Sequence, residues 1–201
     1  MPSHHRPKLI LASTSPTRRM LLSGSGVAFS CEPPRIDESA AKASLAAVPL
    51  AELASELAAQ KSLDVSARFP EAIVIGADQT LELDGAGFDK PSNIEAARRQ
   101  LMQLRGRMHH LHAALCCSRN GKILWQHRST ASLTMRSFSG EELDRYLEQA
   151  GDKPLQSVGA YQIEGPAIGL FSAITGDYFT ILGLPLLPLL QFLRDQGIPA
   201  P

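Results

Sequence analysis

Hydrophobic and polar residues alternate along the chain in stretches that predict strands and helices in turn. The apolar run Leu9 to Ala12 predicts a buried strand, and the Ser15-Pro16 pair behind it predicts an N-cap with proline at the first helical position. A short strand near residues 27–31 and a helix over about 49–67 follow. The stretch "EAIVIGAD" then predicts a strand that stops at Asp78. This order of strand, turn and helix is typical of an α/β fold.

The second half of the chain carries helix and hairpin signals. Ser92 with Glu95, and Ser139 with Glu142, each have the spacing of a capping box that opens a helix. Two β-rich runs flank Asn120-Gly121, the strongest short signal for a hairpin. The glycine-rich stretch "VGAYQIEGPAIGLFSAITGDY" is β-like, and a last helix follows it. Because hairpins and crossover helices occur in one chain, we expect an α/β fold with a mixed central sheet flanked by helices.

The composition fits one globular domain. A chain of 201 residues, 44% of them hydrophobic, can bury a sizeable core and suits a single domain over 1–201 better than two small ones. The 20 basic and 20 acidic residues leave no net charge, so no global positive field recruits a nucleic acid polymer. Any anion-binding site must therefore be built locally.

Neither membrane insertion nor a disulfide framework is indicated. The apolar stretch from Ile181 is interrupted by Pro185 and Pro188 and is shorter than the roughly 20 residues that span a bilayer, so we expect no membrane partner. The three cysteines are odd in number, and Cys116 and Cys117 are adjacent. A reducing cytoplasm is the expected location.

The polar turn that follows the first strand is a candidate anion site. Ser13 to Ser15 precede a helix whose N-terminus offers unpaired backbone N–H groups and the positive end of the dipole. Arg18 and Arg19 lie in the first turn, where arginine opposes the dipole. Phosphate binding would compensate for that penalty. The alternative is an ordinary capped helix with two solvated arginines.

Three charged residues add to this candidate site. Leucines from Leu50 onward form an apolar stripe on the helix near 49–67, and the next position of that stripe is Lys61. Lys61 is either a functional cation or a lysine whose charged end reaches solvent at the end of the helix. Asp78 can hold a divalent cation or orient a water at the carboxyl end of its strand, or can form an Asx-turn. Lys90 would add a further cation near the same end of the fold.

The sequence lacks the motifs of several other kinds of nucleotide-binding, catalytic and metal-binding site. The chain has no P-loop and no dinucleotide fingerprint, and Ser13 lacks the G-x-S-x-G context of a nucleophile elbow. His109, His110 and His112 do not indicate a metal site, because His109 points away from the other two in a strand and no cysteine or carboxylate has the spacing to complete a site.

Eight ordered blocks between residues 11 and 186 carry a family resemblance: "LASTSPTRRMLL", "IDES", "LAAQKS", "VIGADQT", "DKP", "LRGRMHHLHAAL", "GAYQIEG" and "GDYFTILGLPL". The chain resembles the Maf family of nucleoside triphosphate pyrophosphatases over nearly its whole length. The resemblance implies a Maf/inosine-triphosphatase-like fold with a cleft between two lobes, often as a homodimer. It also implies hydrolysis of a nucleoside triphosphate to the monophosphate and pyrophosphate, with a divalent metal cation such as Mg²⁺, Mn²⁺ or Co²⁺.

The resemblance also implies catalytic residues. Asp78 matches the proposed catalytic acidic residue, and Glu38 matches the acidic residue of the family's "DE" loop. Both are expected to hold the metal, and Asp78 alternatively positions the attacking water. Lys61 and Lys90 match the two cleft lysines.

The implied substrate-binding residues bear on the choice of base. Ser13 and Arg18 match the phosphate-binding turn, while Gln79 and Glu164 resemble the branch that acts on 7-methyl-GTP. A carboxylate can accept hydrogen bonds from guanine N1–H and its exocyclic amine. Tyr161 and the "RGRMH" stretch resemble the branch that acts on dTTP and UTP, so the signals are mixed.

The sequence departs from the family pattern at three positions. Thr17 replaces the first arginine of SPRR, Gln79 stands where many members have threonine, and Asp89 replaces the glycine of GKP. The first two agree with the 7-methyl-GTP branch, and Asp89 raises the question of the local conformation before Lys90. A dTTP/UTP pyrophosphatase, a hydrolase of another phosphoanhydride, and a nucleotide-binding regulator of septum formation without useful catalysis are the alternatives.

Overall fold

The computed structural model describes residues 7–200, which form one mixed sheet with helices packed on it. The strands are β1 (Leu9–Ala12), β2 (Ser30–Cys31), β3 (Ile73–Leu83), β4 (Ala86–Phe88), β5 (Met108–Arg119), β6 (Lys122–Met135) and β7 (Phe171–Thr175). The helices are α1 (Pro16–Gly24), α2 (Glu38–Ser44), α3 (Leu50–Arg68), α4 (Ile94–Leu104), α5 (Gly140–Ala150), α6 (Tyr178–Ile181) and α7 (Leu186–Asp195).

The sheet has the strand order β2-β1-β3-β5-β6-β7, and β4 pairs with β3. β1 runs parallel to both β2 and β3, whereas the other pairs are antiparallel. The prediction of a mixed sheet is therefore confirmed. In the parallel pair, Ala12 lies beside Gly76, so the turn after β1 emerges next to the segment of β3 that carries Asp78.

Gly76 sets how closely α3 packs on the sheet. A Cβ at this position would lie 2.7 Å from the backbone nitrogen of Ser62 and closer still to the carbonyl oxygen of Ala58. Only glycine leaves room for the helix backbone here. Because side chains alternate along a strand, Asp78 faces α3 as Gly76 does, and the close approach brings Lys61 to it.

Buried apolar side chains form two main clusters. One includes Leu11 and Ile75 of the sheet with Leu189 of α7. The other includes Leu133 of the sheet with Leu101 of α4.

Three of the sequence-based predictions of local structure are wrong. β3 does not stop at Asp78 but runs on to Leu83, because β5 pairs with it throughout, from Val74 to Glu82. The N-cap of α4 is Asn93 and not Ser92, since the Asn93 side chain accepts the hydrogen bond from the backbone of the third helical residue.

The third error concerns the glycine-rich stretch. Its middle forms a 3₁₀ turn at Pro166–Leu170, and only β7 is a strand. The loop containing "RIDES" also ends in a short helix, α2, that the pattern did not predict. The Asp37 side chain caps this helix by accepting hydrogen bonds from the backbone nitrogens of Ser39 and Ala40.

Other local predictions are confirmed. Ser15 caps α1 with Pro16 behind it, and Ser139 with Glu142 forms a complete capping box at α5. Asn120 and Gly121 both have positive φ in the turn between β5 and β6, as a tight hairpin requires.

The described residues contain three free cysteines, Cys31, Cys116 and Cys117. No helix within residues 7–200 is long and apolar enough to cross a membrane.

Candidate active site

A cleft of about 870 Å³ opens beside the carboxyl end of β1. Its walls come from the turn before α1, from α2 and α3, from the middle of β3, and from the loop over residues 155–164. All the predicted site residues line it: Ser13, Arg18, Glu38, Lys61, Asp78, Gln79, Lys90 and Glu164. The fold thus gathers into one cavity eight positions that are spread from residue 13 to residue 164 of the sequence.

The turn between β1 and α1 is held by its own hydroxyl groups. Ser13 Oγ accepts a hydrogen bond of 3.1 Å from the Ser15 backbone nitrogen, and Ser15 Oγ accepts one of 3.4 Å from the Arg18 nitrogen. Ser13 is buried, whereas Thr14 is exposed. The turn therefore presents a preorganised helix N-terminus to the cleft, an arrangement suited to an anion.

Two backbone carbonyl groups orient the Arg18 guanidinium. Its Nη1 donates to the Ala77 carbonyl oxygen at 2.8 Å, and its Nε donates to the Gly183 carbonyl oxygen at 2.9 Å. Burial lowers the pKa of Arg18, while the negative charges of Asp78 and Glu38 oppose that shift. Arginine remains charged in proteins, so the cleft holds a fixed cation at this point.

Lys61 connects the two acidic residues. Its Nζ lies 2.6 Å from Asp78 Oδ1 and 3.0 Å from Glu38 Oε1. Lys61 and Asp78 are both buried, at 6% and 7% exposure, while Glu38 sits at the exposed start of α2. Lys61 compensates the charge of the buried Asp78, while the second carboxylate, on Glu38, stays exposed to water, so no buried charge is left without a partner.

The same two carboxylates are the groups that could hold a metal ion. Their oxygens converge on one cationic atom, and carboxylate oxygens are the donors that Mg²⁺ prefers. Among residues 7–200, no three or more histidine, cysteine, aspartate or glutamate side chains are placed so that they could hold a metal ion together. The donor set fits an ion such as Mg²⁺, which proteins bind through one or two carboxylates together with substrate phosphates and waters.

Lys90 lies at the mouth of the cleft. Partial removal from water and the positive charges of Arg18 and Lys61 lower its pKa, with Glu38 and Asp78 acting in the opposite direction. The preceding Asp89, which replaces a glycine of the family motif, forms an ion pair with Lys42 of α2. The non-glycine residues with positive φ in the described chain are Asp84, Asn120 and Ala160, so Asp89 adopts an ordinary backbone conformation.

The loop over residues 155–164 forms the more apolar wall. Tyr161 and Ile163 line it together with the exposed carboxylate of Glu164. Tyr161 OH is 2.7 Å from His109 Nε2, and His109 is fully buried. His109 therefore supports Tyr161, which lines the cleft, through this hydrogen bond. His110 and His112 stack on one face of the strand, as the sequence predicted.

Sequence reasoning missed two features of the cleft. Lys42 lines it, and its pairing with Asp89 joins α2 to the Lys90 loop. The other feature is the pair of carbonyl groups that hold Arg18, at Ala77 and Gly183. Every residue has a backbone carbonyl, so the sequence does not show which carbonyls bind Arg18. Only the folded structure identifies them.

Comparison with known proteins gives the family. A family model described as "Maf-like protein" matches residues 8–196. The chain belongs to the Maf-like protein family. The resemblance carried by the eight sequence blocks is thereby confirmed.

Relatives of this Maf-like chain match over nearly its full length. It is 49% identical to a "7-methyl-GTP pyrophosphatase" of Rhizobium etli over 193 residues, which cover 95% of the chain and 97% of the relative. It is 51% identical to a "7-methyl-GTP pyrophosphatase" of Brucella abortus over 192 residues, with 94% and 96% covered. A "Nucleoside triphosphate pyrophosphatase" of Granulibacter bethesdensis is 49% identical over 191 residues, with 94% and 97% covered.

Proposed function

We propose that this Maf-like protein is a nucleoside triphosphate pyrophosphatase, which hydrolyses its substrate to the monophosphate and pyrophosphate. The names of the relatives support this reaction. The main structural support for this reaction is that three cationic and two carboxylate side chains lie together near a helix N-terminus, in one cleft large enough for a nucleotide.

The cations match the charge of the substrate. A triphosphate brings about four negative charges at neutral pH, and attack at the α-phosphorus requires stabilisation of the leaving pyrophosphate. Arg18 is fixed by two carbonyls, Lys61 is buried in the cleft wall, and Lys90 stands at the mouth. These side chains and the positive end of the α1 dipole bind and orient the phosphates.

The carboxylates supply the acid–base side of the reaction. Asp78 orients the attacking water or holds the metal, and Glu38 assists from α2. A divalent cation held by these two residues would neutralise phosphate charge and act as a Lewis acid. Lys61 holds both carboxylates in place through its contacts of 2.6 and 3.0 Å. A nucleotide-binding regulator without catalysis would gain little from two carboxylates beside its phosphates.

The favoured base is 7-methylguanine. Glu164 lies on the loop that forms the apolar wall, where a carboxylate can accept two hydrogen bonds from guanine N1–H and its exocyclic amine. The positive charge of a methylated guanine strengthens such bonds. Thymine and uracil offer one donor and carbonyls that a carboxylate repels. Two of the relatives carry the name of this activity.

A nucleotide panel tests this proposal. We expect kcat/KM for 7-methyl-GTP to exceed the values for dTTP and UTP, and the preference to be lost in Glu164→Gln. Wild-type protein that hydrolyses dTTP or UTP at least as efficiently as 7-methyl-GTP would rule out the base assignment and leave the pyrophosphatase reaction intact. If no nucleotide is hydrolysed in the presence of Mg²⁺, Mn²⁺ or Co²⁺, the result would favour a nucleotide-binding regulator without catalysis. A homodimer and a cytoplasmic location stay predictions.

A further inference from the structure

Helix α2 brings Glu38 to the cleft but has little packing of its own. It consists of seven residues, Glu38–Ser44, and none of them is buried. Because a helix of this length is marginal by itself and this one buries no apolar face, it gains little stability from packing. Its position beside the cleft must therefore depend on polar contacts with the rest of the fold.

Two ion pairs join α2 to other elements in the part of the chain that the structure describes. Glu38 Oε1 lies 3.0 Å from Lys61 Nζ of α3. One helical turn later, Lys42 pairs with Asp89, which lies in the loop between β4 and α4. Residues four apart share one face of a helix, and both Glu38 and Lys42 line the cleft. The cleft-facing side of α2 is thus held at its first turn and at its last.

Asp89 is itself anchored to α4. The Gln100 side chain of α4 donates from Nε2 to the Asp89 carbonyl oxygen at 2.7 Å. Asp89 is therefore held through its backbone by α4, while its carboxylate holds α2 through Lys42. The next residue is Lys90, which lines the cleft. A contact that fixes Asp89 thus also limits where the Lys90 backbone can lie.

We propose that Lys42 and Asp89 are positioning residues for the pyrophosphatase reaction. Their ion pair fixes Glu38 on α2 relative to Lys90 on its loop, and neither side chain acts on the reacting atoms. The pair between Glu38 and Lys61 does not suffice for this, because both members are assigned to the metal or the phosphates and change partners during turnover. The proposal rests on the proposed function, and it gives a role to the aspartate that replaces the family glycine at position 89.

A double-mutant cycle tests this role. Lys42→Met and Asp89→Asn each break the ion pair at similar side-chain volume. An exposed ion pair contributes up to about 1 kcal/mol, which corresponds to about fivefold. We therefore expect each single variant to lower kcat/KM for 7-methyl-GTP by about three- to fivefold. The double variant should lose no more than either single variant, because the same pair can be broken only once.

An ion pair outside the cleft provides the matched control. Arg98 of α4 and Asp144 of α5 lie 2.7 Å apart between Nε and Oδ1, and their side chains are 43% and 53% exposed, against 36% and 76% for Lys42 and Asp89. Arg98→Met and Asp144→Asn should leave kcat/KM unchanged. Lys42→Arg keeps the positive charge and should hold kcat/KM within about twofold of the wild-type value.

The direction of the Asp89→Asn effect separates positioning from direct contact with the substrate. If Lys42 itself bound a phosphate, Asp89→Asn would release it for that purpose, and kcat/KM would stay equal or rise. Either result would overturn the proposal. Losses that multiply to about tenfold or more in the double variant would also overturn it, because they would show two independent roles.

Hydrogen exchange followed by mass spectrometry separates this proposal from the proposed function, since it needs no substrate. The peptide over residues 38–48 should exchange faster in Asp89→Asn, which leaves the sequence of that peptide unchanged, and at the wild-type rate in Asp144→Asn. Unchanged exchange in Asp89→Asn would overturn the positioning role. An inactive wild-type protein whose α2 exchange still depends on Asp89 would refute the pyrophosphatase reaction and support the role of the ion pair in holding α2.

Discussion

Replacing Asp78 by asparagine removes one negative charge from the centre of the cleft and keeps the side-chain shape. Asp78 Oδ1 accepts from Lys61 Nζ at 2.6 Å, and both residues are buried. Breaking a buried ion pair costs about 3–5 kcal/mol when it strands a charge. Here Lys61 keeps Glu38 at 3.0 Å, and the asparagine carbonyl still accepts a hydrogen bond. We therefore expect a smaller loss of about 1–2 kcal/mol, because a hydrogen bond to a charged acceptor, worth about 1.5–3 kcal/mol, is replaced by one to a neutral acceptor, worth about 0.5–1.5 kcal/mol.

The effect on catalysis should be larger than the effect on folding. A loss of 1–2 kcal/mol lowers the Tm of a chain of this size by roughly 2–8 °C, so the variant stays folded at 25 °C. Turnover should fall by about 100-fold or more, equivalent to about 2.7 kcal/mol of barrier. Pyrophosphate release at saturating metal gives kcat/KM, and thermal melting followed by circular dichroism gives Tm.

Asp64→Asn is the matched control for this prediction. Asp64, on the same helix as Lys61, accepts hydrogen bonds from the Arg35 backbone nitrogen at 2.9 Å and from Arg68 at 3.0 Å, and does not line the cleft. It should lose stability and keep kcat/KM within about twofold, as expected for a site away from the chemistry. Near-normal turnover of Asp78→Asn, or an equal loss in Asp64→Asn, would refute the role of Asp78.

Two further predictions concern folding. Burial lowers the pKa of His109 to about 4, so this residue stays neutral in the folded chain while it gains a proton in the unfolded chain below pH 6.5. The free energy of unfolding should then fall by about 2 kcal/mol as the pH falls from 6.5 to 5. Urea unfolding at several pH values should show a weaker pH dependence in His109→Gln than in the wild-type protein. Identical pH profiles for the two proteins would contradict this prediction. Gly76→Ala places a Cβ 2.7 Å from Ser62 N and should cost about 1–3 kcal/mol or more, and an unchanged Tm would refute the close approach of α3.

Short-range signals predicted much of this fold. The Ser15-Pro16 start of α1 and the Asn120-Gly121 turn each depend on a few adjacent residues, and the structure confirms both. The sequence also predicted the position of Lys61 on the buried face of α3, because helical spacing alone places that lysine in line with the buried leucines. Local propensity and burial pattern agree at these positions, so no long-range information was needed.

Long-range pairing decided the features that the sequence did not reveal. β3 runs beyond Asp78 because a partner strand some 35 residues away continues the ladder, as in the Asp78 and Ala114 pair. Arg18 is held by a carbonyl 165 positions further along the chain. Such contacts depend on topology and on backbone atoms, which have no signature in residue type.

Hydrolysis in ¹⁸O-labelled water tests the central claim most directly. With 7-methyl-GTP and a divalent cation, mass spectrometry of the products should find equal amounts of monophosphate and pyrophosphate, with the label in the monophosphate, because water attacks the α-phosphorus. Label in the pyrophosphate, release of orthophosphate with a diphosphate, or no turnover of any triphosphate would contradict the assignment of this cleft as a nucleoside triphosphate pyrophosphatase site.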